Sequence, residues 1–132
     1  MSEKKIFYTP RAPVPKGPYS QAVIHDGLLY ISGQGPIDPG SGNLIKGCIE
    51  DETRVTLDNI KAIVEDAGAK MKDVLKVTCY LSDMSEFAMF NEVYNNFFPD
   101  DPPARTTIQA GKLPLGIKVE IDAVVALSRS SE

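Results

Sequence analysis

The sequence predicts one α+β domain, a mixed sheet with two helices on one face. Three observations lead there. Segments 74–81 and 117–127 alternate apolar and polar residues as half-buried strands do. Segments 50–67 and 87–97 repeat apolar residues at helical spacing, and Asp26-Gly27 joins two β-rich arms as a hairpin turn. With 132 residues, 42% hydrophobic and 24% charged, the chain is large enough for one core and ordinary in composition, so 1–132 reads as a single domain.

In chain order, Lys5 to Thr9 is short, apolar and aromatic, as an edge strand is; Pro10, Pro13, Pro15 and Pro18 then exclude regular structure up to Tyr19. Tyr19 to Ile24 and Leu28 to Ser32 are the hairpin arms. Gly33-Gln34-Gly35-Pro36 ends the second arm. It lacks the third glycine, lysine and strand-to-helix junction of a dinucleotide or phosphate loop, so it reads as backbone that something approaches closely. Leu57, Ile60, Val64 and Ala67 mark the inner side of the first helix, with Asp58, Lys61 and Glu65 outward and Gly68 as its stop.

In the next strand Leu75, Val77, Cys79 and Leu81 share an apolar face against Lys76, Thr78 and Tyr80. Asp83 and Glu86 form a capping-box pattern for the second helix, whose Phe87, Phe90, Tyr94 and Phe97 line the core side until Pro99. Pro102-Pro103 leads rigidly into a strand that opens on Arg105. After a turn from Gly111 to Gly116 containing Pro114, the last strand puts Val119, Ile121, Ala123, Val125 and Leu127 on one face and Lys118, Glu120 and Asp122 on the other.

Several function classes drop out. A net charge of -4 and a pI near 5.0 argue against an electrostatic nucleic-acid binder. Cys48 and Cys79 stand far apart with no CxxC partner, and His25 is the only histidine, too few soft ligands for zinc or iron-sulfur chemistry. Both cysteines fit buried thiols in a reducing compartment. No apolar leader follows Met1 to Lys5 and no stretch reaches a membrane span of about 20 apolar residues, so a cytosolic protein is expected.

Opposite the helices, the sheet is expected to carry Thr78, Tyr80, Glu120 and Asp122, joined by Arg105, Thr107 and Gln109, with Val124 and Ala126 interrupting them. That mixture needs a cover, and a second copy of the chain is the natural one, so a homo-oligomer with a pocket at its seam is expected. Arg105 is the candidate anion hook, because its planar fork matches a carboxylate or phosphate where a lysine offers a point charge.

These residues resemble a known family. Gly17-Pro18-Tyr19-Ser20-Gln21-Ala22, Ile31-Ser32-Gly33-Gln34, Leu57-Asp58-Asn59-Ile60, the Phe87 to Tyr94 run, Pro103-Ala104-Arg105-Thr106-Thr107 and Val119-Glu120-Ile121 are similar to the motifs of the RidA family, also called YjgF/YER057c/UK114. The resemblance implies a chorismate-mutase-like fold (bacillus type), a homotrimer and three clefts between subunits. It implies hydrolysis of reactive enamine and imine acids, such as 2-aminoacrylate and 2-iminobutanoate, to 2-oxo acids and ammonia, without a cofactor. Pyridoxal-phosphate enzymes acting on serine or threonine generate such intermediates and would be protected by their removal. Carried onto this chain, Arg105 holds the substrate carboxylate and Glu120 handles water and protons. The Gly33 N–H and Ser32 add polar contacts, Tyr19 closes the pocket, and Phe87 and Asn91 line it. Many members have a cysteine two places after the arginine; here Thr107 keeps a hydrogen-bonding group but no thiol. Ribonuclease or translation-inhibitor activity, and a non-catalytic carboxylate-binding or chaperone-like role, are the alternatives.

Overall fold

The structure is a computed structural model and describes residues 3–127. Six strands, β1 (Lys5–Phe7), β2 (Ala22–His25), β3 (Leu28–Gln34), β4 (Val74–Leu81), β5 (Ala104–Gln109) and β6 (Val119–Ala126), form one sheet in the order β1-β2-β3-β6-β4-β5. Helix α1 (Ile49–Asp66) joins β3 to β4, and α2 (Phe87–Phe97) joins β4 to β5. The α2 crossover makes β4 and β5 parallel; every other pairing is antiparallel, with β6 filling the gap between β3 and β4. Asp26 and Gly27 both have positive φ, 50° and 77°, the two-residue turn whose twist suits a hairpin.

Both helices cover one face. Leu29, Ile31, Val77, Cys79, Leu81, Val119, Ile121 and Val125 of the sheet are buried against Leu57, Ile60, Ile63 and Val64 of α1 and Phe90 and Tyr94 of α2. Gly68, at φ 93°, stops the first helix as its sequence predicts. No helix among the described residues is long and apolar enough to cross a membrane.

Three local readings change. Leu75 is 49% exposed and Val74 takes the core position. Pairing with β6 jumps from Val74 opposite Val125 to Lys76 opposite Val124, so Leu75 is the extra residue of a bulge and loses the side that simple alternation assigns it. Asp83 does cap, accepting the Ser85 N–H at 2.9 Å, but it caps a single 3₁₀ turn, Met84–Glu86, ahead of α2. Glu86 therefore stands at the N-cap of α2, and its carboxylate faces Lys118 at 4.0 Å instead of reaching back.

The third change matters most for function. The parallel register sets Arg105, Thr107 and Gln109 beside Val77, Cys79 and Leu81, and neighbours across a ladder share a face. These three residues are thus on the helix side, while Thr106 and Ile108 join Thr78, Tyr80, Glu120 and Asp122 on the open face. The helix side can hold them because β5 is the last strand of the sheet, where Arg105 and Thr107 are only half-buried.

Candidate functional site

Four prolines leave the segment before β2 with few N–H groups of its own to bond, so another side chain must hold it. Gln21 does so from a fully buried position: it accepts the Thr9 N–H at 2.7 Å and donates to the carbonyls of Thr9 (2.9 Å), Ala12 (3.2 Å) and Pro13 (2.9 Å). Asn59 of α1 likewise donates to the carbonyls of Gly35 (3.1 Å) and Ile37 (2.9 Å). Glu52, 1% exposed, accepts the Lys118 N–H at 2.8 Å and the Gly47 N–H at 3.5 Å. The loops so fixed enclose a cavity of about 400 Å³ bounded by Pro13 to Lys16, Gly33 to Ile37 and the Pro114–Ile117 turn, with Tyr19 and Glu120 in its wall. Sequence reasoning gave these three clamps no role.

Glu120 lies across Gly33. A Cβ placed on Gly33 would come within 2.9 Å of the Glu120 carboxyl carbon and closer still to Oε2, so only glycine leaves room for that carboxylate. Burial raises the Glu120 pKa above the usual carboxylate range, and the neighbouring charge of Asp122 raises it further. Asp122 is also raised by burial, partly offset by hydrogen bonds from Tyr80 and Thr78 and by Lys76; the Tyr80 hydroxyl donates to it at 3.3 Å. A half-buried carboxyl pushed toward neutrality in a cavity wall is suited to take and return protons. Replacing Asp122 by Asn removes the like charge and lowers the Glu120 pKa. An NMR titration of the side-chain carboxyl carbons should accordingly show Glu120 releasing its proton at lower pH in the variant than in the parent. Ser32, expected to contact the ligand, donates its hydroxyl to the Ser20 carbonyl at 2.6 Å and braces the strand end.

The second cluster lies on the other face, at β5. Arg105 donates from Nη1 to Asn91 Oδ1 at 2.9 Å, and its guanidinium carbon lies 4.6 Å from the centre of the Tyr94 ring, 5.5 Å from Phe87 and 5.7 Å from Phe90. The aromatic stripe of α2 therefore does two jobs, packing the core and cradling a cation. Among the described residues no carboxylate lies within ion-pair distance of Arg105. Its fork is oriented by one amide and three rings, with its remaining N–H groups available. Thr107 stands next to Cys79, whose thiol burial pushes up to about 12 and so makes inert; burial also raises the Tyr94 hydroxyl. The Thr107 and Tyr94 hydroxyls are buried without a hydrogen-bond partner.

Tyr19, Gly33 and Glu120 thus meet at the cavity, and Phe87, Asn91, Arg105 and Thr107 meet at the sheet edge. Within one chain the two groups do not meet. Arg105 pairs with Val77 and Glu120 with Tyr80, with β4 between their strands. Two strand spacings and three residues of rise put their Cα atoms about 14 Å apart, on opposite faces.

A wider depression between the helices is lined on the α1 side by charged residues from Glu50 to Glu65, and on the other by Met71, Val93, Asn96 and Phe97. Its charges are of both signs, and Arg54 pairs with Asp51 at 3.5 Å, as on a solvated helix surface. Among the described residues no three His, Cys, Asp or Glu side chains are grouped to hold a metal ion.

Comparison with known proteins gives a consistent picture. Residues 9–127 match the family model described as Endoribonuclease L-PSP. A RutC family protein of Pyrococcus horikoshii is 49% identical over 92% of this chain and 96% of its own length. The 2-iminobutanoate/2-iminopropanoate deaminase of Mus musculus is 42% identical over 92% of this chain and 90% of its own. TdcF of E. coli, solved with bound serine, superposes with a TM-score of 0.89 at 38% identity, covering 94% of this chain and 99% of that one.

Proposed function

Since the chain belongs to the endoribonuclease L-PSP family, the YjgF/RidA group, we propose that it hydrolyses reactive 2-imino and enamine acids to 2-oxo acids and ammonia. The observation that carries this reading is the pairing of complementary half-sites on one chain: an arginine fork with no carboxylate partner among the described residues and a carboxyl whose pKa burial raises, on opposite faces of one sheet. A homotrimer with its clefts between subunits brings Arg105 of one copy to the Glu120 cavity of the next. The deaminase name of the mouse relative and the amino acid bound in TdcF are in keeping with a ligand that carries an α-carboxylate.

In such a cleft Arg105 grips the carboxylate bidentately, its plane held by Asn91 and the rings. Glu120 takes a proton from the attacking water as its oxygen bonds to the C=N carbon and returns that proton to the nitrogen; the adduct's hydroxyl proton then follows the same route to the amine as it leaves. Collapse of the tetrahedral adduct forms C=O and breaks C–N, releasing ammonia. Each step is a proton transfer, an addition or an elimination, with no change of oxidation state, so the protein's own groups suffice. A nucleolytic reading finds less support. The single histidine, His25, is exposed at the hairpin turn beside Asp26, away from the cavity.

The test is release of ammonia and 2-oxo acid from freshly generated 2-iminobutanoate with and without the protein. Equal rates would remove the deaminase reading. Arg105→Lys keeps the charge and loses the fork, so calorimetric titration should show 2-oxobutanoate binding weakened by about 10- to 100-fold. Undiminished affinity would make Arg105 a structural charge.

A further inference from the structure

We infer that Leu115 is a specificity-determining residue giving the cavity an apolar subsite, so that 2-imino acids with a larger apolar side chain are preferred over the one that carries a methyl. The inference rests on the deaminase reading above.

Leu115 sits in the turn Pro114–Gly116 with φ 61° and ψ 13°, the left-handed region that bulky side chains rarely adopt. Gly116 beside it is also left-handed, at φ 71°, so the turn uses a strained leucine where a second glycine would relieve it. The side chain earns no core packing in return: it is 62% exposed, yet it lines the cavity mouth. A strained residue that the chain's own core does not hold is a mark of a functional contact, and the place of Leu115 in the cavity lining makes the ligand that contact. Val14, Ile37, Pro114 and Ile117 continue the same apolar wall, while Glu120, Lys16 and Tyr19 supply the polar groups.

An acidic side chain is disfavoured by Glu120.

The experiment compares imines generated in situ from alanine and from leucine by an L-amino acid oxidase, reading kcat/KM for each. The parent is expected to favour the leucine imine by about 30-fold or more, since a single added methylene in a hydrophobic pocket contributes roughly 10- to 200-fold and the leucine imine carries three more carbons. Leu115→Gly relaxes the backbone and removes the wall. Its thermal midpoint should not fall, and the leucine-to-alanine ratio should drop by about tenfold through a higher KM for the leucine imine. Leu115→Ala, which keeps a Cβ, gives the same readout should the glycine variant not accumulate. A parental ratio at or below one, or a ratio that neither variant changes, overturns the inference while leaving the deaminase reading intact. Acceleration of neither imine removes both.

Discussion

Refolded together in equal amounts, chains carrying Arg105→Ala and chains carrying Glu120→Gln are expected to regain about a quarter of the parental imine hydrolysis, although each alone is nearly inactive. Glu120→Gln keeps size and hydrogen bonding but removes the base, for a loss of about 10²- to 10⁴-fold. Arg105→Ala removes the grip on the carboxylate. The recovery follows from the placement of the two residues on opposite faces with β4 between them. A cleft between copies is whole when its Glu120 comes from an Arg105→Ala chain and its Arg105 from a Glu120→Gln chain, which random mixing yields about one time in four. Light scattering on the same samples reports the assembly. A monomer mass at micromolar protein, or mixed assemblies with no regained activity, would dismiss the shared cleft.

Gly33→Ala is expected to cut turnover by about 10²-fold or more, the scale for losing a positioned acid or base, while leaving stability within about 1 kcal/mol. Gly33 does not have a positive φ, so alanine fits the backbone there, and the clash falls on the far end of the Glu120 side chain. That end can rotate away at little cost to the fold. Once rotated, the carboxylate no longer occupies the cavity wall. Thermal unfolding and imine hydrolysis measured on the same preparation separate the two effects. Parental turnover in Gly33→Ala would show that the carboxylate's place across Gly33 is irrelevant to chemistry.

Much of this was legible in the chain. The hairpin at Asp26-Gly27, both helices and the alternation in β6 follow from local periodicity, and Gly33 reads correctly as a point of close approach. The face of β5 was not legible, for a physical reason. Arg105, Thr107 and Gln109 are polar at every second position, which assigns them to a polar face, yet a parallel edge strand takes its sidedness from its register with β4. The bulge at Leu75 is hidden in the same way, since pairing with β6 creates it and its own residues do not. Gln21, Glu52 and Asn59 look like surface residues by type; their burial depends on loops that arrive from elsewhere in the chain.

The edge position of β5 has a bearing on how such a chain can diverge. One side of that strand carries Arg105 and Thr107, and the other carries Thr106 and Ile108 on the open sheet face. If that face is the seam between copies, heritable change along these six residues alters ligand preference and self-association at once. Neither trait can drift alone there. New preferences are more freely explored on the Pro114–Ile117 turn, which borders the cavity without belonging to a strand.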